Sequence, residues 1–339
     1  MTVSSPPPRN AEANVHAAHS CSSSSINNHS TSHASLHSLV DTLFVWDFDW
    51  TIVNCNSDEY VPAAFLGVDV STNRLQKLVQ FHGPTKWHDC VASLINNCMD
   101  EIQGCTMNDI SNAAASMPYL ADVRGALVDI NEDININCGQ AIISDGNDLF
   151  IGAFVKANRM DHLFTHGIET NIGKWIDETN PIGTCSTRTK QHPLFSVVHQ
   201  SSKYGGHSCT TCPPNLCKTQ VLLRILTSIE EANYGKRPRR IVYIGDGEND
   251  ACPALHVLQE GDVLLARVGR KTHDPNSKMG EQMDDYDEGT GSKFGIIPTI
   301  EKRQKEDGGI IPRCHIRTWS TGIQLRSHVR GILNNAETE

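Results

Sequence analysis

The sequence has no run of the roughly 18 apolar residues that a bilayer-spanning helix needs. It has no excess of positive charge either: 29 Lys and Arg stand against 39 Asp and Glu, a net charge of −10. An acidic surface repels nucleic-acid phosphates and anionic headgroups, so neither nucleic acid nor a membrane is expected as a partner. The first residues lack a basic segment followed by an apolar core, the pattern of a secretory signal. They are Ser-rich and acid-poor, yet Arg9 is their one strong base, which makes a weak transit peptide. The twelve cysteines are therefore expected as reduced thiols, and the protein as cytoplasmic.

What is present suits a globular enzyme. The 339 residues are 38% hydrophobic, enough for one large domain or two small ones. Residues 1–40 stand apart: "SSPPPRN" and "CSSSSINNHSTSHAS" bury too little apolar surface to offset the entropy of ordering. They are expected as a disordered tail, and its histidines (His16, His19, His29, His33, His37) as solvated side chains rather than metal ligands.

From Asp41 onward, short apolar runs alternate with helical patterns. "TLFVWD" (42–47), "QAIIS" (140–144), "LFTHGIETN" (163–171), "IVYIG" (241–245) and "DVLLARV" (262–268) read as strands, the last of these as the final one. Residues 58–136 repeat apolar positions at helical spacing, interrupted by "HGP" and "SMP". "GNDLFIGAFVKAN", "NLCKTQVLLRILTSIEEAN" and "GIQLRSHVRGIL" read as further helices, "GKRPRR" as a solvated loop, and 272–308 as a polar surface excursion. Strands alternating with helices predict a parallel α/β sheet of Rossmann type, residues 41–57 and 137–339, with 58–136 as a helical cap inserted after the first strand.

In such sheets ligands bind beyond the carboxyl ends of the strands. Three predicted strands end in polar residues there: Asp47, Ser144 with Asp145, and Asp246. Asp47 and Asp49 flank Phe48, so in extended backbone their side chains point the same way. Neighbouring carboxylates repel unless a cation lies between them or one takes a proton. Mg²⁺, a hard ion that prefers oxygen, suits the place, with Asp246 as a further anionic ligand. A carboxylate can attack phosphorus and become an aspartyl-phosphate, given charge neutralisation around the equatorial oxygens. Lys218, at the head of an amphipathic helix, and Ser144 could supply part of it, and a second aspartate could move the protons. Each piece alone has a bland reading as a turn or a cap; the weight lies in their order along the chain.

"DFDWT", "IS", Lys218 and "GDGEND", in that order, resemble the four motifs of the haloacid dehalogenase superfamily of phosphatases. The resemblance implies Asp47 as nucleophile and Asp49 as general acid and base. It implies Mg²⁺ held by Asp47, by the main-chain carbonyl of Asp49 and by Asp246, with Asn249 and Asp250 supporting the metal shell and the phosphate site. "DFDWTIVNCNSDEYV", "ISDGNDLFI", "HSCTTCPPNLCK" and "IGDGENDACP" further resemble the phosphoethanolamine/phosphocholine phosphatase family, which includes pyridoxal phosphate and plant thiamine-monophosphate phosphatases. Trp50 departs from the smaller or charged residue common at its position. A small amine-containing phosphomonoester, phosphocholine or phosphoethanolamine, is thus the expected substrate; the alternatives are pyridoxal phosphate or thiamine monophosphate, and, outside enzymes, an idle binding or regulatory protein on the same fold. Asp58 and Asp145 are not needed for phosphoryl transfer, and spare carboxylates beside an anionic phosphate are costly unless the substrate carries a cation. The resemblance likewise places head-group recognition at these two residues; the alternatives are that Asp58 caps a helix and Asp145 sits in a turn. Trp87 is expected as cap core rather than as a stacking surface. His207, Cys209, Cys212 and Cys217 have a spacing that could hold Zn²⁺, but reduced structural thiols are the preferred expectation, with Cys55 and Cys252 as packing residues.

Overall fold

Strand β1 (Thr42–Trp46) lies in the middle of a seven-stranded sheet, and each of its residues is buried. Phe44 and Trp46 enter one apolar cluster and Leu43 and Val45 the other, as the two-residue repeat of a strand requires. A strand covered on both faces is apolar throughout, which is why it stands out in the sequence. The structure is a computed structural model that describes residues 39–176, 193–269, 295–306 and 309–334. The predicted tail therefore falls outside the described residues, except that Val40 and Leu39 are tied to Asn233 and Asn137.

The other strands are β2 (Cys138–Asn147), β3 (Ile168–Ile176), β4 (Leu194–Val198), β5 (Arg240–Gly245), β6 (Val263–Arg267) and β7 (His315–Trp319), in the spatial order β4-β3-β2-β1-β5-β6-β7. All neighbours are parallel except β3 and β4. Helices α1 (Ser57–Leu66), α2 (Val68–His82), α3 (Trp87–Glu101), α4 (Met107–Ala115) and α5 (Ala121–Glu132) separate β1 from β2. Then come α6 (Asp148–Ala157), α7 (Gln200–Tyr204), α8 (Lys218–Ala232), α9 (Ala251–His256), α10 (Ile296–Glu306) and α11 (Gly322–Leu333). Helices α5, α6 and α11 supply one apolar cluster, and α8, α9 and α10 the other. Among the described residues no helix is long and apolar enough to cross a membrane.

The parallel α/β architecture is as expected; several details are not. "DVLLARV" is not the last strand, because β7 pairs beyond it with only Trp319 of its residues buried. Strand β4, a five-residue edge strand, also went unread. The strand expected from 163 begins at Ile168, after a one-turn helix at Asp161–Leu163. Residues 296–306, expected as polar surface, form α10 with Ile296 and Ile300 buried one turn apart; the rest of 270–294 lies outside the described residues. Nor is the basic run wholly solvated. Arg237 Nη2 sits 2.6 Å from the buried carboxylate of Asp262, which also accepts the N–H groups of Ile241 and Gln259.

The helical stretch after β1 is divided. Helix α5 packs against α11, where Arg326 reaches Asp129 at 2.8 Å and Asp122 at 3.4 Å, and its Leu127 carbonyl accepts the Gln140 amide from β2. It therefore belongs to the layer covering the sheet. Helix α3 instead leans on the sheet edge: the Asn96 side chain both donates to and accepts from the Phe195 backbone on β4.

Candidate active site

Trp46 pairs with Ile142 on β2 and with Ile244 on β5, so β1 and β5 end beside the last part of β2. Asp47 and Asp246 follow the ends of β1 and β5, and Ser144 and Asp145 lie within the last part of β2, next to the point where strand order reverses around β1. The Asp47 N–H donates to the Ile244 carbonyl at 2.8 Å and fixes that exit.

Lys218 is the first residue of α8 and is fully buried. Its ammonium lies 2.7 Å from Asp47 Oδ1 and 2.5 Å from Asp250 Oδ1. Asp250 is further held by the Tyr243 hydroxyl at 2.9 Å and, through Oδ2, by the N–H groups of Asp246 and Gly247 at 3.1 and 2.9 Å. Burial opposes the charge on Lys218, but the Asp250 and Asp47 carboxylates outweigh it and hold its pKa well above the ordinary lysine value. For Asp47 the balance goes the other way: burial and the charge of Asp250 push its pKa well up, against the pull of Lys218.

Carboxylate oxygens of Asp47, Asp246 and Asp250 all lie within 4.8 Å of one another. Among the described residues, the Lys218 ammonium contacts two of these three carboxylates, Asp47 and Asp250. The cluster's donors are all hard oxygens, and it fits Mg²⁺ in charge and in chemistry.

Asp49 does not share this cluster through its carboxylate, contrary to the expected convergence with Asp47. Its oxygens accept the Ser57 N–H (2.8 Å) and hydroxyl (3.1 Å) at the start of α1. Burial, then the nearby Asp58, pushes the Asp49 pKa well up. Between Asp49 and α1 the backbone turns sharply, with Trp50 at φ 56°, a left-handed conformation uncommon for a bulky residue. Arg267, ending β6, donates to the Trp50 carbonyl and to Asn54 Oδ1 and so fixes the turn.

Asp58 does not cap α1. Asn56 does, accepting the N–H groups of Asp58 and Glu59. The Asp58 side chain instead accepts the Trp87 indole N–H at 2.8 Å through Oδ2, while its Oδ1 is buried with no hydrogen-bond partner among the described residues. Burial raises its pKa against the opposing effects of His88 and Trp87. Trp87 thus packs on the core, as expected, and also orients a carboxylate. His88 Nε2 lies 2.8 Å from the Asp145 carbonyl, so that nitrogen carries the proton. The same carbonyl accepts the side-chain amides of Asn171 (2.7 Å) and Asn215 (3.3 Å). The Asp145 carboxylate accepts the Asn249 amide at 3.2 Å, and the fully buried Ser144 hydroxyl accepts the Gly146 N–H. Asp145 is therefore a junction between the helical insert, β3 and the loop before Lys218, rather than a free turn residue.

The sequence model of a family described as Putative Phosphatase matches residues 42–286, which span all of these groups. The chain belongs to the Putative Phosphatase family. It is a phosphatase, a phosphoric monoester hydrolase. A protein named probable phosphatase phospho2 from Xenopus tropicalis is 29% identical over 300 residues, 87% of this chain and 99% of that one. A Bos taurus protein named pyridoxal phosphate phosphatase PHOSPHO2 is 30% identical over 233 residues, 67% and 82% of the two chains. Inorganic pyrophosphatase 1 from Arabidopsis thaliana is 27% identical over 294 residues, 83% and 89% of the two. The narrower phosphocholine and phosphoethanolamine resemblance is not what these names carry.

Within this phosphatase, His88, Asn171, Asn215, Tyr243 and Arg267 were missed in the sequence. Asn215 alone carried a signal, as part of "HSCTTCPPNLCK". The expected His207/Cys209/Cys212/Cys217 group also differs: His207 Nε2 lies against the Pro213 carbonyl at 2.9 Å, and Cys252 takes its place beside the three thiols. Cys55 packs in the core as expected.

Gly245 gives a sharp test of the phosphatase site's rigidity. A Cβ there would fall 2.4 Å from Asp250 Cγ and 2.8 Å from its Cβ. Asp250 cannot retreat, because four donors hold it. Gly245→Ala is expected to lower kcat at least about tenfold and to destabilise the fold by about 1–3 kcal/mol, the cost of overpacking. Urea melts and steady-state assays check this, and wild-type values for both would show that Asp250 need not stay in place.

Proposed function

We propose that this enzyme is a Mg²⁺-dependent phosphomonoesterase that works through a phosphoryl ester on Asp47, acting on a small phosphomonoester with a cationic group. The observation that supports it most is the buried Lys218 held between Asp47 and Asp250 with Asp246 alongside. Asp47, Asp246 and the main-chain carbonyl of Asp49 would hold the ion, with Asp250 behind them. When bound, Mg²⁺ supplies the positive charge that screens Asp47 from the incoming phosphate. A carboxylate oxygen of Asp47 attacks phosphorus as the ester P–O bond breaks. Asp49, turned away from the cluster towards Ser57, gives its proton to the leaving oxygen. It then takes a proton from the water that attacks the phosphoaspartate, which releases inorganic phosphate and restores Asp47. Lys218, Ser144 and Asn249 hold the phosphoryl oxygens.

Helices α1–α4 form the cap in this reading and bring Asp58, Trp87 and His88 to the site. A buried carboxylate oxygen without a partner is costly, and a substrate ammonium would supply the missing interaction. Phosphocholine and phosphoethanolamine both offer a cation. Pyridoxal phosphate is a second reading, favoured by the name of the bovine relative and by aromatic groups near Asp58: Trp87, and His88 edge-on to His199 at 5.4 Å.

The test is phosphate release with and without Mg²⁺ from phosphocholine, phosphoethanolamine, pyridoxal phosphate, thiamine monophosphate, inorganic pyrophosphate and p-nitrophenyl phosphate. Turnover should require Mg²⁺ and favour the cationic esters. Asp58→Asn should raise KM for these about tenfold or more, the worth of one charged hydrogen bond, and leave p-nitrophenyl phosphate and pyrophosphate nearly unchanged. An equal effect on all six substrates would remove Asp58 from recognition.

A further inference from the structure

Four thiols that phosphoryl transfer does not use lie together beside the site. The Sγ atoms of Cys209, Cys212, Cys217 and Cys252 are all within 4.8 Å of one another, with Cys209 and Cys252 at 3.4 Å. We propose that these four cysteines bind one structural Zn²⁺, separate from the carboxylate cluster.

Ordinary core packing does not account for the group. Its apolar cluster contains cysteines only, with no aliphatic or aromatic member. Disulfide pairing does not account for it either: all four thiols are free, and 3.4 Å is far beyond the S–S bond length of about 2.05 Å. A tetrahedral zinc with Zn–S bonds of about 2.3 Å places its sulfurs about 3.8 Å apart, close to what the cluster already shows. Polar groups of the chain face two of the sulfurs. The N–H groups of Thr211 and Cys212 both point at Cys209 Sγ at 3.4 Å, and the Thr219 hydroxyl lies 3.0 Å from Cys252 Sγ. Cys217 is the N-cap of the 15-residue helix α8, where the helix dipole favours negative charge. Four sulfur ligands select zinc over magnesium, so the two metals would not compete for each other's sites. Binding releases the thiol protons to solvent. Cys209 is half-buried, which leaves a route for entry.

The site would serve the chemistry indirectly. Cys217 immediately precedes Lys218, and Cys252 follows Asp250 by two residues. One ion would join the two segments that carry the 2.5 Å Lys218–Asp250 contact. The four cysteines are then positioning residues.

Metal analysis of the full-length chain, purified without chelators, tests this whether or not the enzyme turns over any substrate. The expected result is one zinc per chain. A mercurial should release it in step with thiol modification, and Co²⁺ in its place should give thiolate-to-metal charge-transfer bands. Cys209→Ser and Cys252→Ser should each lose the zinc, while activity that remains should keep the wild-type dependence on Mg²⁺ concentration. If the variants fail to fold, the mercurial release and cobalt spectra of the wild-type chain decide alone. A folded chain without zinc, with iron in its place, with a disulfide among these cysteines, or with zinc retained after both substitutions would overturn the proposal.

Discussion

Asp47→Asn should reduce phosphate release by at least about ten-thousandfold, the scale seen when a nucleophile is removed, and should not lower stability in metal-free buffer. The two halves of this expectation share a cause. Asp47 is 4% exposed, and burial together with Asp250 and Asp246 disfavours its charge. Asparagine removes that repulsion and keeps an oxygen for Lys218, whose second partner Asp250 is untouched. The proposed nucleophile is held at such a cost, a trade of stability for function. The metal reports the same thing: Mg²⁺ should raise the melting temperature of the wild type by mass action and that of the variant much less. An active Asp47→Asn enzyme would place the nucleophile elsewhere.

Lys218→Met should be the most damaging substitution to the fold. Methionine fills much the same volume but leaves Asp47 and Asp250 without the ammonium both contact, in a site where Lys218 and Asp250 are wholly buried. Removing one partner of a buried ion pair costs about 3–5 kcal/mol. The sign with pH follows from the carboxylates. Asp47 already has a raised pKa in the folded state, and losing Lys218 removes the neighbouring charge that lowers it. An acid with a raised folded pKa is penalised when ionised, so the deficit relative to wild type should be largest at neutral pH. It should shrink as the pH falls towards the ordinary carboxylate value and the acids take up protons. Activity should fall at least about a thousandfold, because the preorganised charge proposed to face the phosphate is lost. Urea titrations of both proteins across pH check the first point, and a deficit that does not vary with pH would contradict it.

What could be read from the sequence was what a single strand or turn reveals locally. β1 after Thr42 and β5 after Arg240 are runs of buried, mostly apolar residues because both faces are covered, and Asp47 and Asp246 follow directly from where those strands end. The edge strands β4 and β7 were not legible, since they are short and only partly buried. Groups that act through a distant main chain left no local trace: His88 and Asn171 matter because both reach one carbonyl, that of Asp145. Cys252 was invisible as a member of the thiol group because the loop that meets it lies a whole helix and strand earlier. The helical stretch after β1 looked uniform, and only packing against α11 separates α5 from the rest.

The most direct measurement traps the covalent intermediate. Enzyme turning over a saturating phosphomonoester is treated with borohydride, which reduces an acyl phosphate to an alcohol, and the peptide containing residues 43–54 is sequenced by mass spectrometry. Homoserine at position 47, formed only in the presence of both substrate and Mg²⁺, is the predicted result. An active enzyme in which residue 47 remains aspartate, with reduction at another carboxylate or at none, would contradict the account.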